Sequence, residues 1–185
     1  MDFDRLVVSF FVDEVVGGFF ISVPPGHIAC VYDRGRGVLS KTWGPGLHLK
    51  IPFWQVAKLF NAQILEYNIS KNFNVDDPEI LGSKSLIGVT KDGVEVEIEG
   101  SILFKINKQK APTIWENIGD NFVSKVVRPM SSSKILAVIS EVSFDQLKAY
   151  RSKIEAKIKQ DLDKELNNKG IICEGFLLSE VRKIS

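Results

Sequence analysis

Cysteine and histidine are the scarcest chemistry-bearing residues in this chain of 185 residues, with two of each. Cys30 and Cys173 lie far apart, each in an apolar run of strand character, which argues against a disulfide framework and a zinc site and points to a reducing compartment. His27 and His48 both stand near glycine at strand starts and read as turn histidines rather than a catalytic pair. A nucleophile with a base, paired carboxylates in a cleft and a ligand cluster are all missing, so the expectation is a protein that is not an enzyme, with no catalytic residue, no metal site and no cofactor. Gly35 and Gly37 around Arg36 give a G-x-G without a third glycine or a following helix, which makes a hairpin turn and not a dinucleotide loop.

Charge of one sign is also lacking. Lys and Arg number 24 against 23 Asp and Glu, a net charge of +1, so the chain as a whole exerts no pull on nucleic acid or anionic lipid and must recognise any partner locally. The basic residues from Lys148 to Lys169 are interleaved with acids, as on a solvated helix. Glu95, Glu97 and Glu99 alternate along one strand and read as its solvent face rather than as a cation site. Asp76-Asp77 reads as a solvated turn.

An uninterrupted membrane-spanning run is missing as well. Leu6 to Val23 is long enough, but Asp13 and Glu14 fall in its middle, and one Asp at a helix centre costs ~2.5–3.5 kcal/mol on insertion scales. Gly17 and Gly18 follow at once, leaving two short apolar arms. In the first, Phe3, Leu6, Val7, Phe10 and Phe11 recur at helical spacing opposite an acidic face. Such a helix serves either to lie in a membrane interface through its phenylalanines or to dock on protein, whether this chain's own core or a partner of a soluble adaptor module.

After Gly18 the pattern turns to strands: Phe19 to Val23, a Pro24-Pro25-Gly26 turn, then HIACVYD. Strand character continues through Leu47 to Ile51 and Val56 to Ile69, up to the polar linker KNFNVDDPE. The clearest strand is VEVEIEGSILFKI, where Val94, Val96, Ile98, Ile102, Phe104 and Ile106 share one face behind the turn Thr90-Lys91-Asp92-Gly93. Helices follow. One spans Ala111 to Ile118; a second is capped by Asp120 or Asn121, with Pro129 kinking it or starting another segment. The last runs about 25 residues from the capping box of Ser143 and Gln146 to Gly170, with Leu147, Tyr150, Ile154, Ile158, Leu162 and Leu166 along one face and the pairs Glu155–Lys159 and Glu165–Lys169 outside. The chain closes on the strand IICEGFLLSEV.

One stretch does not fit a polar surface. In HLKIPFW, His48 to Trp54, apolar residues crowd around Pro52 directly after Gly44-Pro45-Gly46. A buried corner and a membrane-facing tip both account for it, and the alternation of Leu47, Leu49 and Ile51 suits a core face.

The order of VPPGHIACVYDRGRGV, GPGLHLKIPFWQ, VTKDGVEVEIEGSILFKI, VVRP, SFDQLKAYRSKI and NNKGIICEGFLLSEV resembles the SPFH superfamily, also called band 7, which includes prohibitins, stomatins and flotillins. The resemblance covers about Phe19 to Val181 and is most like prohibitin or stomatin-type members. It implies an α+β SPFH domain: a mixed, strongly bent β-sheet with helices packed on one side, in two sub-lobes. Residues 1–18 would then be a membrane-associating segment, 19–80 the membrane-proximal β-rich sub-lobe and 81–185 the second.

The resemblance also implies a non-enzymatic scaffold at a bacterial plasma membrane or organellar inner membrane. Its partners would be copies of itself in a ring or cage, the lipid surface and a membrane-bound AAA or serine protease, with no nucleic acid. By position, Pro45, Gly46, His48, Ile51, Pro52 and Phe53 match the family's P-G-x-H-x-x-x-P-F signature, and Thr90, Asp92, Gly93 and Val94 its T-x-D-G-V turn. Arg128, Pro129, Arg151 and Gly170 fall in the later motifs. Phe10, Phe11, Phe19, Phe20, Phe53 and Trp54 are the membrane-contact candidates this yields. Ser132, Leu136 and Glu141 stand where members often place arginines, and the long coiled coil expected after the domain is missing, as in an excised domain or a minimal member.

Overall fold

A computed structural model of the chain describes residues 17–73 and 81–184. They form two compact units that share the chain discontinuously. The first comprises the described residues up to Gln63 together with Ile106–Gly119, and the second comprises Ile64–Lys105 with Asp120 onward. The junction thus lies at Ile64, ahead of the linker used as the sequence-based boundary, and 106–119 returns to the first unit.

In the first unit, β2 (His27–Asp33) runs between β3 (Gly37–Val38) and β5 (Gln55–Asn61), antiparallel to both. Its residues Ile28, Ala29, Cys30 and Val31 are all buried, so the strand reads as a continuous apolar run rather than an alternation. A separate two-stranded ribbon pairs β1 (Phe20–Val23) with β4 (Gly46–Leu49). Helix α1 (Ala111–Asn117) opens with a proline in its first turn and buries Ala111 and Ile114. Its Trp115 meets Phe60 edge to face, with ring centroids 6.5 Å apart.

The second unit is organised by β9 (Glu95–Ile106), whose even-numbered apolar residues from Val96 to Ile106 are buried as the alternation predicts. Strands β6 (Leu65–Ile69) and β8 (Leu86–Val89) pair antiparallel with successive stretches of β9. β10 (Ile171–Lys183) is the other neighbour of β9, and β7 (Gly82–Ser83) joins β6 in parallel, which makes the sheet mixed. Helices together with a mixed sheet of this kind make the α+β class that the sequence indicates. Two of the three glutamates on the outer face of β9, Glu97 and Glu99, are paired rather than bare. Glu97 accepts from Ser85 Oγ at 2.7 Å and lies 3.6 Å from Lys71 Nζ, and Glu99 accepts from Ser70 Oγ at 3.1 Å.

Pro129 starts a helix rather than kinking one: a π-helical turn, Val123–Val127, leads into α2 (Arg128–Ser140). The single helix expected from Ser143 to Gly170 is two, α3 (Phe144–Ala149) and α4 (Arg151–Asn168). The capping box is present in both directions, with Ser143 N–H donating to Gln146 Oε1 at 3.1 Å and Gln146 N–H to Ser143 Oγ at 3.4 Å. The break is at Tyr150, whose φ of −118° and ψ of 31° leave the helical region, and whose side chain is exposed instead of continuing the apolar stripe. Ile154, Ile158, Leu162 and Leu166 do continue it, fully or nearly buried, each contributing ~1.5–3 kcal/mol by leaving water. Gly170, with φ of +84°, ends the segment in the left-handed conformation that glycine adopts without strain.

The expected partners Lys159 and Lys169 are replaced, by another i,i+4 neighbour and by groups on other elements. Glu155 binds Arg151 at 3.3 Å and accepts from Leu178 N–H of β10 at 3.0 Å, and Glu165 pairs with Lys134 of α2 at 3.0 Å. Asp163 of α4 likewise accepts from Cys173 N–H at 3.1 Å. Two amide groups of the terminal strand of the sheet therefore end on carboxylates of α4.

Candidate functional site

The register of the β1–β4 ribbon brings Phe20 beside Leu49 and Ser22 beside Leu47, and Lys50 N–H extends the pairing to the Phe19 carbonyl at 2.7 Å. Among the described residues of the first unit, nothing covers the outer side chains. Leu47 and Leu49 are about two-thirds exposed, and Ile51 is also exposed, so the buried-face reading of their alternation fails. Phe53 is 84% exposed and Trp54 half exposed, with Phe19 and Phe20 also open. Exposed apolar side chains grouped on one ribbon and its following turn make this the candidate interaction surface. Phe10 and Phe11 lie outside the described residues.

The turn that carries the aromatics is held from below. Gln55 N–H donates to the Ile51 carbonyl at 2.8 Å, and Ile51 N–H donates to Gln55 Oε1 at 3.1 Å, closing Ile51 to Gln55 into a loop. The other end of the Gln55 amide donates to Asp33 Oδ2 at 2.9 Å. Asp33 is 2% exposed and also accepts from Gly35 N–H at 3.0 Å, Arg36 N–H at 3.1 Å and the Arg36 guanidinium at 2.8 Å. The Arg36 guanidinium, then the Gln55 amide, hold the Asp33 carboxyl well below the usual carboxylate range, outweighing its burial. The buried charge is thus fully hydrogen-bonded.

Within this loop Phe53 has φ of +61°, the only described residue other than glycine on the positive side. A bulky side chain there is a genuine outlier and costs of order 1–3 kcal/mol, sustained by the surrounding bonds. Trp54 lies along Gly35, 3.5 Å from the place a β-carbon would take, and its carbonyl accepts from Arg34 N–H at 3.1 Å.

Pro45 and Gly46 form the turn into β4, and His48 steadies it. Its Nε2 donates to the Gly44 carbonyl at 2.7 Å, and its ring stacks on Trp43 with centroids 5.2 Å apart. His27 instead bonds the Pro25 carbonyl through Nδ1 at 3.2 Å. Each histidine therefore serves its own turn. Burial pushes both thiols, Cys30 and Cys173, up to about 11, which leaves them unreactive near neutral pH.

The other motif residues position elements of the second unit. Thr90 Oγ1 donates to Asp92, whose carboxylate receives Phe144 N–H at the start of α3 at 3.3 Å, while Lys91 N–H binds the Val142 carbonyl at 2.9 Å. Gly93, at φ of +78°, lets the turn close. Arg151 reaches from α4 to the Ser179 carbonyl of β10 at 3.4 Å. Arg128, at the start of α2, lines a cavity of about 280 Å³ with Tyr67 and Asn121. The Asp33–Gln55 brace is the part that sequence reasoning missed. The available signal was an aspartate closing an apolar strand just before Arg-Gly-Arg-Gly.

The family model described as SPFH domain / Band 7 family matches residues 21–183. Prohibitin 1 of Gallus gallus is 26% identical over 167 residues, covering 90% of this chain and 56% of that protein. Prohibitin-4, mitochondrial, of Arabidopsis thaliana is 28% identical over 160 residues, covering 86% of this chain and 52% of that protein. Prohibitin-2 of Saccharomyces cerevisiae is 23% identical over 159 residues, covering 86% and 46%. The chain spans about half the length of the curated relatives it matches. With the family model covering nearly the whole of the described fold, the chain belongs to the SPFH domain / Band 7 family.

Proposed function

We propose that this chain is the membrane-surface part of a non-enzymatic scaffold, seated on a bilayer through Phe53 and Trp54 with Phe19 and Phe20 on the adjoining ribbon. The single observation that carries the reading is an exposed aromatic turn held rigidly by a buried carboxylate and amide. Aromatic residues combine large apolar area with few rotatable bonds, which suits insertion at an interface. Copies associate side by side into a ring or cage, and the assembly organises lipid microdomains or restrains a membrane-bound protease. Family membership and relatives called prohibitins support the scaffold role, and the mitochondrial relatives favour an organellar inner membrane or its bacterial counterpart.

Co-sedimentation with liposomes tests the seat, and light scattering with and without lipid tests assembly. Phe53→Ser with Trp54→Ser is expected to lower vesicle affinity by about tenfold or more while leaving the circular dichroism spectrum unchanged. Unchanged sedimentation of that variant would remove the tip from the function.

A further inference from the structure

We infer that the bilayer selected by the tip is anionic, an inference that rests on the membrane-surface reading above. The near-neutral charge of the chain hides a local excess of cations within residues 17–63, next to residues 1–16, where Asp2, Asp4, Asp13 and Glu14 stand against Arg5 alone. From Gly17 to Gln63 the charged residues are Arg34, Arg36, Lys41, Lys50 and Lys58 against the single acid Asp33. That acid is 2% exposed and already bonded to Arg36 and Gln55, so it presents almost no negative surface. The returning segment 106–119 adds Lys108 and Lys110 against Glu116, whereas the rest of the chain after Gln63 is nearly balanced.

The cations sit where the apolar tip would bring them to headgroup depth. Lys50 lies between Leu49 and Ile51 and is bonded through its backbone to Phe19. Arg34 is exposed and bonded through its backbone to Trp54. The Arg36 side chain remains 66% exposed while it holds Asp33. Among the described residues, Arg34, Lys41 and Lys50 have no carboxylate within 4 Å, so no described acid engages them in an ion pair. Apolar side chains flanked by unpaired cations complement a surface that is apolar inside and negative at its face.

The test uses the full chain and two vesicle populations, pure phosphatidylcholine and phosphatidylcholine with one-third phosphatidylglycerol. Each cation near an anionic surface contributes about fivefold in partitioning, so Arg34→Gln with Lys50→Gln should lose about 25-fold on the anionic vesicles and little on the neutral ones. Phe53→Ser with Trp54→Ser should weaken binding to both, and raising the salt should erode only the anionic preference. Equal binding of the unaltered chain to both vesicles, unchanged in the Arg34/Lys50 variant, would overturn the inference and leave the membrane reading standing. Binding to neither vesicle would overturn both and turn attention to an acidic protein partner for the same surface.

Discussion

Phe53 offers a way to weigh the conformational cost of the tip by itself. The comparison is between Phe53→Ala and Phe53→Gly. Because Phe53 is 84% exposed, either truncation removes only ~30 Å² of buried surface, ~0.8 kcal/mol at ~25 cal/mol per Å², and the loss is common to both. What differs is the β-carbon. At φ of +61° a residue with a β-carbon carries ~1–2 kcal/mol that glycine does not, while the extra freedom of glycine in the unfolded chain takes back ~0.5–1 kcal/mol. The glycine variant should therefore be the more stable by ~0.5–1 kcal/mol, ~1–4 °C in melting temperature for a chain of this length. Urea titration and thermal melts followed by circular dichroism measure this directly. In an ordinary strand or helix the order is the reverse, so an alanine variant equal to or more stable than the glycine one would refute the left-handed assignment.

Asp33→Asn tests the brace through pH. The folded-state pKa of Asp33 is depressed, so its contribution is fully present above the unfolded value near ~4 and is lost as pH falls below that toward the folded value. The unaltered chain should lose stability on acidification in this window more steeply than the asparagine variant, and parallel curves would dissociate the carboxylate from the brace. Ile158→Ala, at a fully buried position of α4, should cost ~2–5 kcal/mol in urea unfolding, and a cost below ~1 kcal/mol would contradict its place in the core.

Patterns that depend on near neighbours were legible in the sequence. The alternation of β9 and the capping box at Ser143 each rest on a few consecutive residues, and both appear as expected. The aromatic turn was legible as an anomaly, but alternation at Leu47, Leu49 and Ile51 does not say which face has a partner. Only the surrounding strands decide that, and they leave these residues open. The brace joins Asp33 to Gln55 across 22 positions, and Glu155 reaches Leu178 across 23, so no local period encodes either. The break at Tyr150 escaped for a related reason. Its spacing continues the helical stripe, while its conformation does not.

The amides of Cys173 and Leu178 that end on Asp163 and Glu155 bear on how copies of this domain can meet. An amide already donating to a carboxylate has no hydrogen left for an incoming strand, and a carboxylate beside it repels the carbonyls such a strand would bring. Growth by strand addition, the geometry that leads to open-ended fibres, is obstructed at these points of β10. In the ring or cage proposed above, contacts between copies would then come from side chains, whose fit can end with a fixed number of subunits.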